Sequence, residues 1–203
     1  GERRTIETLA PIVFNGAAHL GAAHAFAHMD PPTPWITWIT TLWNASLNQN
    51  LLHPDVSPKA AMFERHVIKW LAPFYNMSGG HMTPGSTISN LTALWVARDT
   101  ARIDRIVTSM DSHLSIQKAA NILGLKLLKL NTTLKGEIDI NEIPQDLSTS
   151  ALVLTAGTTA SGAIDDLSVK KEAAWLHIDA AWAGPLRLSE NFTNILDGIE
   201  NAD

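Results

Sequence analysis

The sequence has no cysteine, no long apolar run and no block of like charges. Without cysteine there is no disulfide bond and no thiolate chemistry, which is typical of a cytoplasmic protein. No apolar stretch approaches the roughly 20 residues of a membrane-spanning helix, and residues 1–11 lack the apolar core of a signal peptide. Lysine and arginine are scattered and the net charge is −5. We therefore expect a cytoplasmic protein with neither a membrane nor a nucleic acid as partner.

Metal-binding and nucleotide-binding signatures are also missing. His24 and His28 share one helical face, but His19 does not, and no carboxylate completes a ligand set with them. We therefore expect no metal site. The chain contains neither a P-loop nor a GxGxxG pattern, so nothing in it favours a nucleotide.

What is present suits one globular domain, or one domain with an arm: 203 residues, 45% hydrophobic and 17% charged. An alanine-rich helical pattern fills residues 1–28 and stops at Pro31, Pro32 and Pro34. We predict an N-terminal helical segment over residues 1–33 and a second region over residues 34–203. Helices are predicted over 35–52 and 59–74, and another follows Gly85 with an apolar face at Leu91, Leu94 and Val96.

Beyond residue 104, strands alternate with helices. Four short apolar segments predict strands: "RIVTSM", "LKLLKL", "ALVLTA" and "WLHIDAAW". The segment "SIQKAANILG" predicts a helix that ends at Gly124. This alternation indicates an α/β fold with a mainly parallel sheet and helices on both faces. In such sheets, ligands bind beyond the carboxyl ends of the strands.

One strand carries a charge. "WLHIDAAW" is typical of a strand buried on both faces, yet Asp179 lies in its middle. Burying an unpaired carboxylate is costly, so such a group is usually paired or protonated. The sequence therefore predicts a cation beside Asp179.

Three other polar segments allow either a binding role or a structural one. "TPGSTISN" opens a helix with Gly85, Ser86 and Thr87, where free amides can bind an anion, although Ser and Thr also cap helices that bind nothing. His113 either presents its ring to a ligand or caps the next helix. The small residues of "TAGTTASGAIDD" permit a flat ligand to approach, and turns use the same residues.

Taken in order, these motifs resemble the group II pyridoxal-phosphate-dependent amino-acid decarboxylases, which include the glutamate, aspartate, diaminobutyrate and aromatic amino-acid decarboxylases. The segments that carry the resemblance are "TPGSTISNLTALWVARD", "DSHLSIQKAANILG", "TAGTTASGAIDDL" and "WLHIDAAWAGPLRLS". The resemblance implies part of a fold-type I transferase-like large domain, pyridoxal 5'-phosphate as cofactor and a homodimer. It also implies conversion of an L-amino acid to an amine and CO₂.

The resemblance also implies roles for individual residues. Asp179 matches the aspartate that pairs with the protonated pyridine nitrogen, which answers the need for a cation, and His113 matches the histidine stacked on the ring. These two are the expected catalytic residues, and both also bind cofactor. The other expected cofactor-binding residues are Ser86 and Thr87 at the phosphate, Thr159 in contact with the cofactor, Asp165 as a supporting aspartate, and Ala181 against the other ring face.

Two departures from the family pattern raise alternatives. None of Lys118, Lys126, Lys129, Lys135, Lys170 or Lys171 stands in the His-Lys context of the family's Schiff-base lysine. The connection at 167–174 is also short for a parallel crossover. We expect a gap there, and a natural chain that continues past Asp203 with a strand, a His-Lys pair and the family's C-terminal domain. The alternatives are a non-catalytic paralogue or fragment, or another fold-type I enzyme such as an aminotransferase or desulfurase.

Overall fold

The computed structural model describes residues 1–25, 32–169 and 172–203. The chain divides into two compact units, Gly1–Ala60 and Ala61–Asp203. The predicted boundary between residues 33 and 34 stays a prediction. Residues 26–31, which include His28 and Pro31, lie outside the described part, as do Lys170 and Lys171 in the short connection.

The described part of the first unit contains two helices, α1 (Glu2–Gly16) and α2 (Trp35–Leu47). Neither helix buries a side chain within the described residues. Helix α2 ends at Leu47, earlier than the predicted end at residue 52. Asn48 ends it by adopting a left-handed conformation, with a φ of 49°, in which its backbone amide donates a hydrogen bond to the carbonyl of Asn44.

The described residues of the second unit form four strands: β1 (Arg105–Ser109), β2 (Lys126–Leu130), β3 (Leu147–Thr155) and β4 (Ala173–Asp179). Their order in the sheet is β2-β1-β3-β4, and every neighbouring pair is parallel. The predicted α/β class is therefore confirmed. All four carboxyl ends lie at one edge of the sheet, and the register pairs Thr155 of β3 with Asp179 of β4.

Where the structure describes this region, its α-helices are α3 (Ala60–Leu71), α4 (Ser86–Thr100) and α5 (Leu114–Leu123). Helices α4 and α5 cover one face of the sheet, where Leu94 and Ile116 are fully buried against Ile106 and Val153. Helix α5 ends as predicted, because Gly124 takes the left-handed conformation with a φ of 68°.

The opposite face of the sheet packs against connecting segments. Its core includes Leu152 and Leu154 of β3 together with Ile138, Leu167 and Leu196 from the connections. Short 3₁₀ turns follow β4 at Gly184–Leu188, Thr193–Leu196 and Ile199–Asn201. Both faces of β3 are thus covered, which fits its almost continuous apolar sequence.

The structure corrects two sequence interpretations. Strand β4 ends at Asp179, so this residue is the last of the strand and not its middle. The residues before it are only half-buried, because β4 is an edge strand of the described sheet. On α4 the buried positions are Asn90, Leu94 and Ala97, whereas Val96, expected on the apolar face, is 45% exposed.

Candidate active site

The loops that follow β3 and β4 lie side by side at the carboxyl edge of the sheet. The amide of Ala156 donates to the carbonyl of Asp179, and the amide of Ala183 donates to the carbonyl of Ala156. Gly157 has a φ of 97°, and a Cβ there would lie 3.0 Å from the Cβ of Trp182. Only glycine permits this close approach of the two loops. The segments "TAGTTASGAIDD" and "WLHIDAAW", both predicted to carry site residues, therefore lie next to each other.

Asp179 lies at the centre of this edge and is 7% exposed. Its Oδ2 accepts a hydrogen bond of 2.8 Å from Nδ2 of Asn90, and its Oδ1 accepts one of 3.1 Å from the amide of Ala181. No ion pair to Asp179 forms within the described residues. The carboxylate therefore has hydrogen bonds but no neutralising charge from this part of the chain.

Asn90 connects Asp179 to two further polar side chains. Its Nδ2 also lies 2.9 Å from Oγ of Ser115, and its Oδ1 lies 2.9 Å from Nε2 of His177. Burial lowers the pKa of His177, and the negative charge of Asp179 partly opposes this effect. The result is a hydrogen-bonded cluster that joins α4, α5 and β4.

His113 is the N-cap of α5. Its Nδ1 accepts a hydrogen bond of 3.2 Å from the amide of Ser115 and lies 2.8 Å from the hydroxyl of the same residue. The capping role that the sequence left open is therefore present. The ring is nevertheless exposed, so capping leaves it accessible to a ligand.

Ser86 and Thr87 form the exposed first turn of α4. The carbonyl of Gly85 accepts from the amides of Ile88 and Ser89, so those of Ser86 and Thr87 precede the first helical hydrogen bonds. Asn90 lies one turn further along the same face of α4, about 6 Å from Ser86 along the axis. The expected anion site at Ser86 and Thr87 is thus about one helical turn from Asn90, the hydrogen-bond partner of Asp179.

The family of this chain follows from its similarity to known proteins. A model described as "Pyridoxal-dependent decarboxylase conserved domain" matches residues 2–203. The chain belongs to this family. The motifs therefore indicated the family correctly, and with it the pyridoxal cofactor for which the family is named.

Individual relatives agree with the family match. The chain is 26% identical to the L-2,4-diaminobutyrate decarboxylase of Acinetobacter baumannii, across 100% of this chain and 48% of the relative. It is 32% identical to the cysteine sulfinic acid decarboxylase of Rattus norvegicus, across 78% of this chain and 38% of that protein. The chain thus spans half or less of the length of these relatives.

Solved structures confirm the fold. A crystal structure described as the glutamate decarboxylase domain of diaminobutyrate-pyruvate transaminase and L-2,4-diaminobutyrate decarboxylase from Vibrio parahaemolyticus is 30% identical. It matches with a TM-score of 0.86, over 98% of this chain and 51% of that one. The described sheet and helices are therefore those of the pyridoxal-dependent decarboxylase fold.

The polar groups at the strand ends fit pyridoxal phosphate chemically. A buried carboxylate without a counter-charge suits a protonated ring nitrogen, and a helix N-terminus suits a phosphate. Thr155 of β3 is paired with Asp179 of β4 in the strand register. Its hydroxyl is buried and has no hydrogen-bond partner among the described residues. Such an unpaired group is unusual in a folded protein and fits a site that receives a polar ligand.

The remaining predicted site residues occupy different environments. Thr159 and Ala181 are exposed on the two adjacent loops, where a ligand has access to them. Asp165 is only 2% exposed, and its oxygens accept from the amides of Ile138 and Thr155, both at 2.7 Å. Burial raises the pKa of Asp165, and the two amide hydrogen bonds partly counteract it. Direct contact of these residues with the cofactor stays a prediction.

Sequence reasoning missed three members of the cluster, Asn90, Ser115 and His177. Two of them, Asn90 and His177, had a weak signal in the sequence. Asn90 stands four residues after Ser86, on the face of α4 that carries Leu94, and His177 precedes Asp179 on the same face of β4. A polar residue among buried positions is a signal for such a contact, but its partner is not readable from spacing.

The structured ranges 1–25, 32–169 and 172–203 hold no group of three His, Cys, Asp or Glu side chains with metal-site geometry. Within the same described ranges, no helix has the length and apolar character needed to cross a membrane.

Proposed function

We propose that this protein removes the α-carboxylate of an L-amino acid as CO₂, leaving an amine, with pyridoxal 5'-phosphate as cofactor. The proposal is made for the whole protein, to which this chain contributes the residues below. The observation that carries it is the buried carboxylate of Asp179, which accepts hydrogen bonds from Asn90 and Ala181 but has no cationic partner among the described residues.

The role of Asp179 follows from its charge. When bound, pyridoxal phosphate supplies an electron sink for the electron pair left by the departing CO₂. Asp179 holds a proton on the pyridine nitrogen, because an adjacent carboxylate favours the protonated form of a base. Asn90 and the amide of Ala181 hold the carboxylate of Asp179 in place by donating hydrogen bonds to it.

The other residues bind and orient the cofactor. Ser86 and Thr87 hold the phosphate with free amides and hydroxyls at the positive end of the α4 dipole. His113 stacks its exposed ring on the pyridine, and Ala181 leaves room on the opposite side. Thr159 contacts the cofactor from the neighbouring loop. Asp165 supports the site indirectly, by holding the backbone of Thr155 at the end of β3.

The test is substitution of Asp179 by asparagine, which keeps the shape and removes the charge. We expect weaker binding of pyridoxal phosphate and decarboxylation lower by about 100-fold or more, as when a single stabilising polar group is removed from an active site. Absorbance titration measures the binding, and amine release from a panel of L-amino acids measures the reaction.

The control is Asp166→Asn, because Asp166 is exposed and its side chain accepts hydrogen bonds from the nearby Ser168. It should retain both binding and turnover. Near-wild-type turnover in Asp179→Asn would remove Asp179 from the mechanism. Failure of the wild type to release an amine from any amino acid would leave the non-catalytic alternative.

We also propose a cytoplasmic homodimer with its active sites near the subunit interface. The absence of cysteine supports the location, and resemblance to the family supports the dimer. Light scattering of the cofactor-loaded protein should give twice the mass of one chain, and a monomer would contradict the proposal.

A further inference from the structure

The chemistry of its neighbours decides which way the amide of Asn90 points. An ionised carboxylate only accepts hydrogen bonds, so the NH₂ group of Asn90 faces Oδ2 of Asp179, at 2.8 Å. The amide oxygen then faces Nε2 of His177, at 2.9 Å. This nitrogen must therefore carry a proton and donate it.

The same reasoning extends from Asn90 to His113. The Oγ atom of Ser115 accepts the second NH₂ proton of Asn90, which leaves its own hydroxyl proton for Nδ1 of His113 at 2.8 Å. The amide of Ser115 also donates to this Nδ1. Since Nδ1 accepts two hydrogen bonds, the ring proton of His113 is on Nε2.

Asn90 lies where an apolar residue would otherwise be expected. It is 3% exposed and shares its helix face with Leu94 and Ala97, both fully buried. Both polar atoms of its side chain have partners, so the buried amide of Asn90 is satisfied. An apolar residue would fill this position, but it could not hold three polar side chains in fixed positions.

We propose that Asn90 is a positioning residue that joins Asp179 and His113 in one hydrogen-bonded unit. The NH₂ group of the Asn90 side chain holds the carboxylate of Asp179 directly and the ring of His113 through Ser115. His177 holds the amide oxygen of the same side chain. The two residues proposed to contact the pyridine ring are thereby kept in place relative to each other. The link to the cofactor rests on the proposed function, whereas the hydrogen-bonded unit itself does not.

Three variants separate the hydrogen bonds of Asn90 from its packing. Asn90→Leu has a similar size and removes all three bonds. Asn90→Asp keeps an acceptor for His177 but has no NH₂ group to donate to Asp179. Leu94→Ala, one turn along the same buried face, is the matched control because it lowers stability without touching the cluster.

The first measurement needs no cofactor. The Nε2–H signal of His177 in ¹H–¹⁵N spectra, assigned with His177→Gln, should be protected from exchange in the wild type, Asn90→Asp and Leu94→Ala. It should be lost in Asn90→Leu. A wild type without this protected signal, or an Asn90→Leu variant that keeps it, would overturn the assignment of the unit.

The second measurement is the affinity for pyridoxamine 5'-phosphate, which has the ring and phosphate but no aldehyde. We expect affinity to fall by about tenfold in Asn90→Leu and in Asn90→Asp, as for loss of a hydrogen bond to a charged group. Leu94→Ala should keep its affinity while its melting temperature falls. If Asn90→Leu does not fold, Asn90→Asp still tests the link to Asp179.

A double-mutant cycle then distinguishes positioning from a general structural effect. Because Asn90 holds Asp179 directly and His113 only through Ser115, Asn90→Leu should cost about threefold or less in affinity when Asp179→Asn is already present. A full tenfold loss in that background would overturn the proposal. If the wild type itself does not bind pyridoxamine 5'-phosphate, the proposed function fails, and the His177 signal still decides whether the unit exists.

Discussion

Asp165 provides a sharp test of how the site is supported. Its carboxylate is buried and accepts from two backbone amides, one at the end of β3 and one at Ile138, in a connecting segment. Replacing Asp165 by asparagine keeps the shape but leaves a single acceptor oxygen. One backbone amide then faces the new NH₂ group and has no partner.

The cost of Asp165→Asn can be estimated from these contacts. Losing a hydrogen bond to a charged group costs about 1.5–3 kcal/mol, and a buried donor left unpaired costs about 1–3 kcal/mol. Removing a charge that burial already disfavours offsets part of this, since burial raises the pKa of Asp165. We expect a net loss of about 2–3 kcal/mol in the free energy of unfolding near neutral pH.

The pH dependence has a defined sign. The pKa of Asp165 is higher in the folded protein than its ordinary value of 3.8, with burial as the main cause. Such a group stabilises the fold most below its unfolded pKa, and this contribution is lost as pH rises through the folded pKa. Asparagine does not titrate, so the stability gap between wild type and Asp165→Asn should widen as the pH is lowered from neutral.

Urea unfolding followed by tryptophan fluorescence measures these differences at several pH values. Asp166→Asn is the control and should change stability by less than about 0.5 kcal/mol, because Asp166 is exposed. If Asp165→Asn unfolds like the wild type at neutral pH, the carboxylate does not hold the two segments together. A stability gap that narrows toward low pH would refute the raised pKa.

Two further predictions concern a cap and a turn. His113→Asn should keep the stability of the wild type, because asparagine also caps helices. It should lower the affinity for pyridoxamine 5'-phosphate by about fivefold, because ring stacking is lost. Unchanged affinity in the same titration would leave His113 as a helix cap alone. Gly198→Ala should destabilise the fold by at least about 2 kcal/mol in urea unfolding, since φ is 101° and a Cβ would lie 2.5 Å from the backbone of Leu167. Gly162→Ala is its control, because that φ is 70° with no atom within 4 Å, and equal losses at both positions would refute the clash.

Local patterns in the sequence determined much of the second unit. The apolar runs predicted β1 to β4, and Gly124 predicted the end of α5, because each signal arises within a few neighbouring residues. The placement of polar motifs after strands predicted that they would meet at one edge. In a parallel sheet all carboxyl ends share that edge, so topology alone brings the motifs together.

Local patterns were less informative about burial and strand ends. The segment around Asp179 has the composition of a strand buried on both faces, yet β4 ends at this residue and is half-buried before it. The sequence does not show that β4 is the edge strand of the described sheet, which depends on the order β2-β1-β3-β4. The separation between residues 33 and 34 likewise rested on proline positions and stays a prediction.

The sequence by itself determined that Asp179 needs a partner, because a carboxylate among apolar residues is unstable without one. Only the tertiary structure decided that the chain supplies Asn90, which is 89 positions away in sequence. The same holds for Asp165, whose acceptors are used by backbone amides of Ile138 and Thr155. Such partners are chosen by the packing of α4 and the connections against the sheet, and no spacing along the chain encodes which two surfaces will meet.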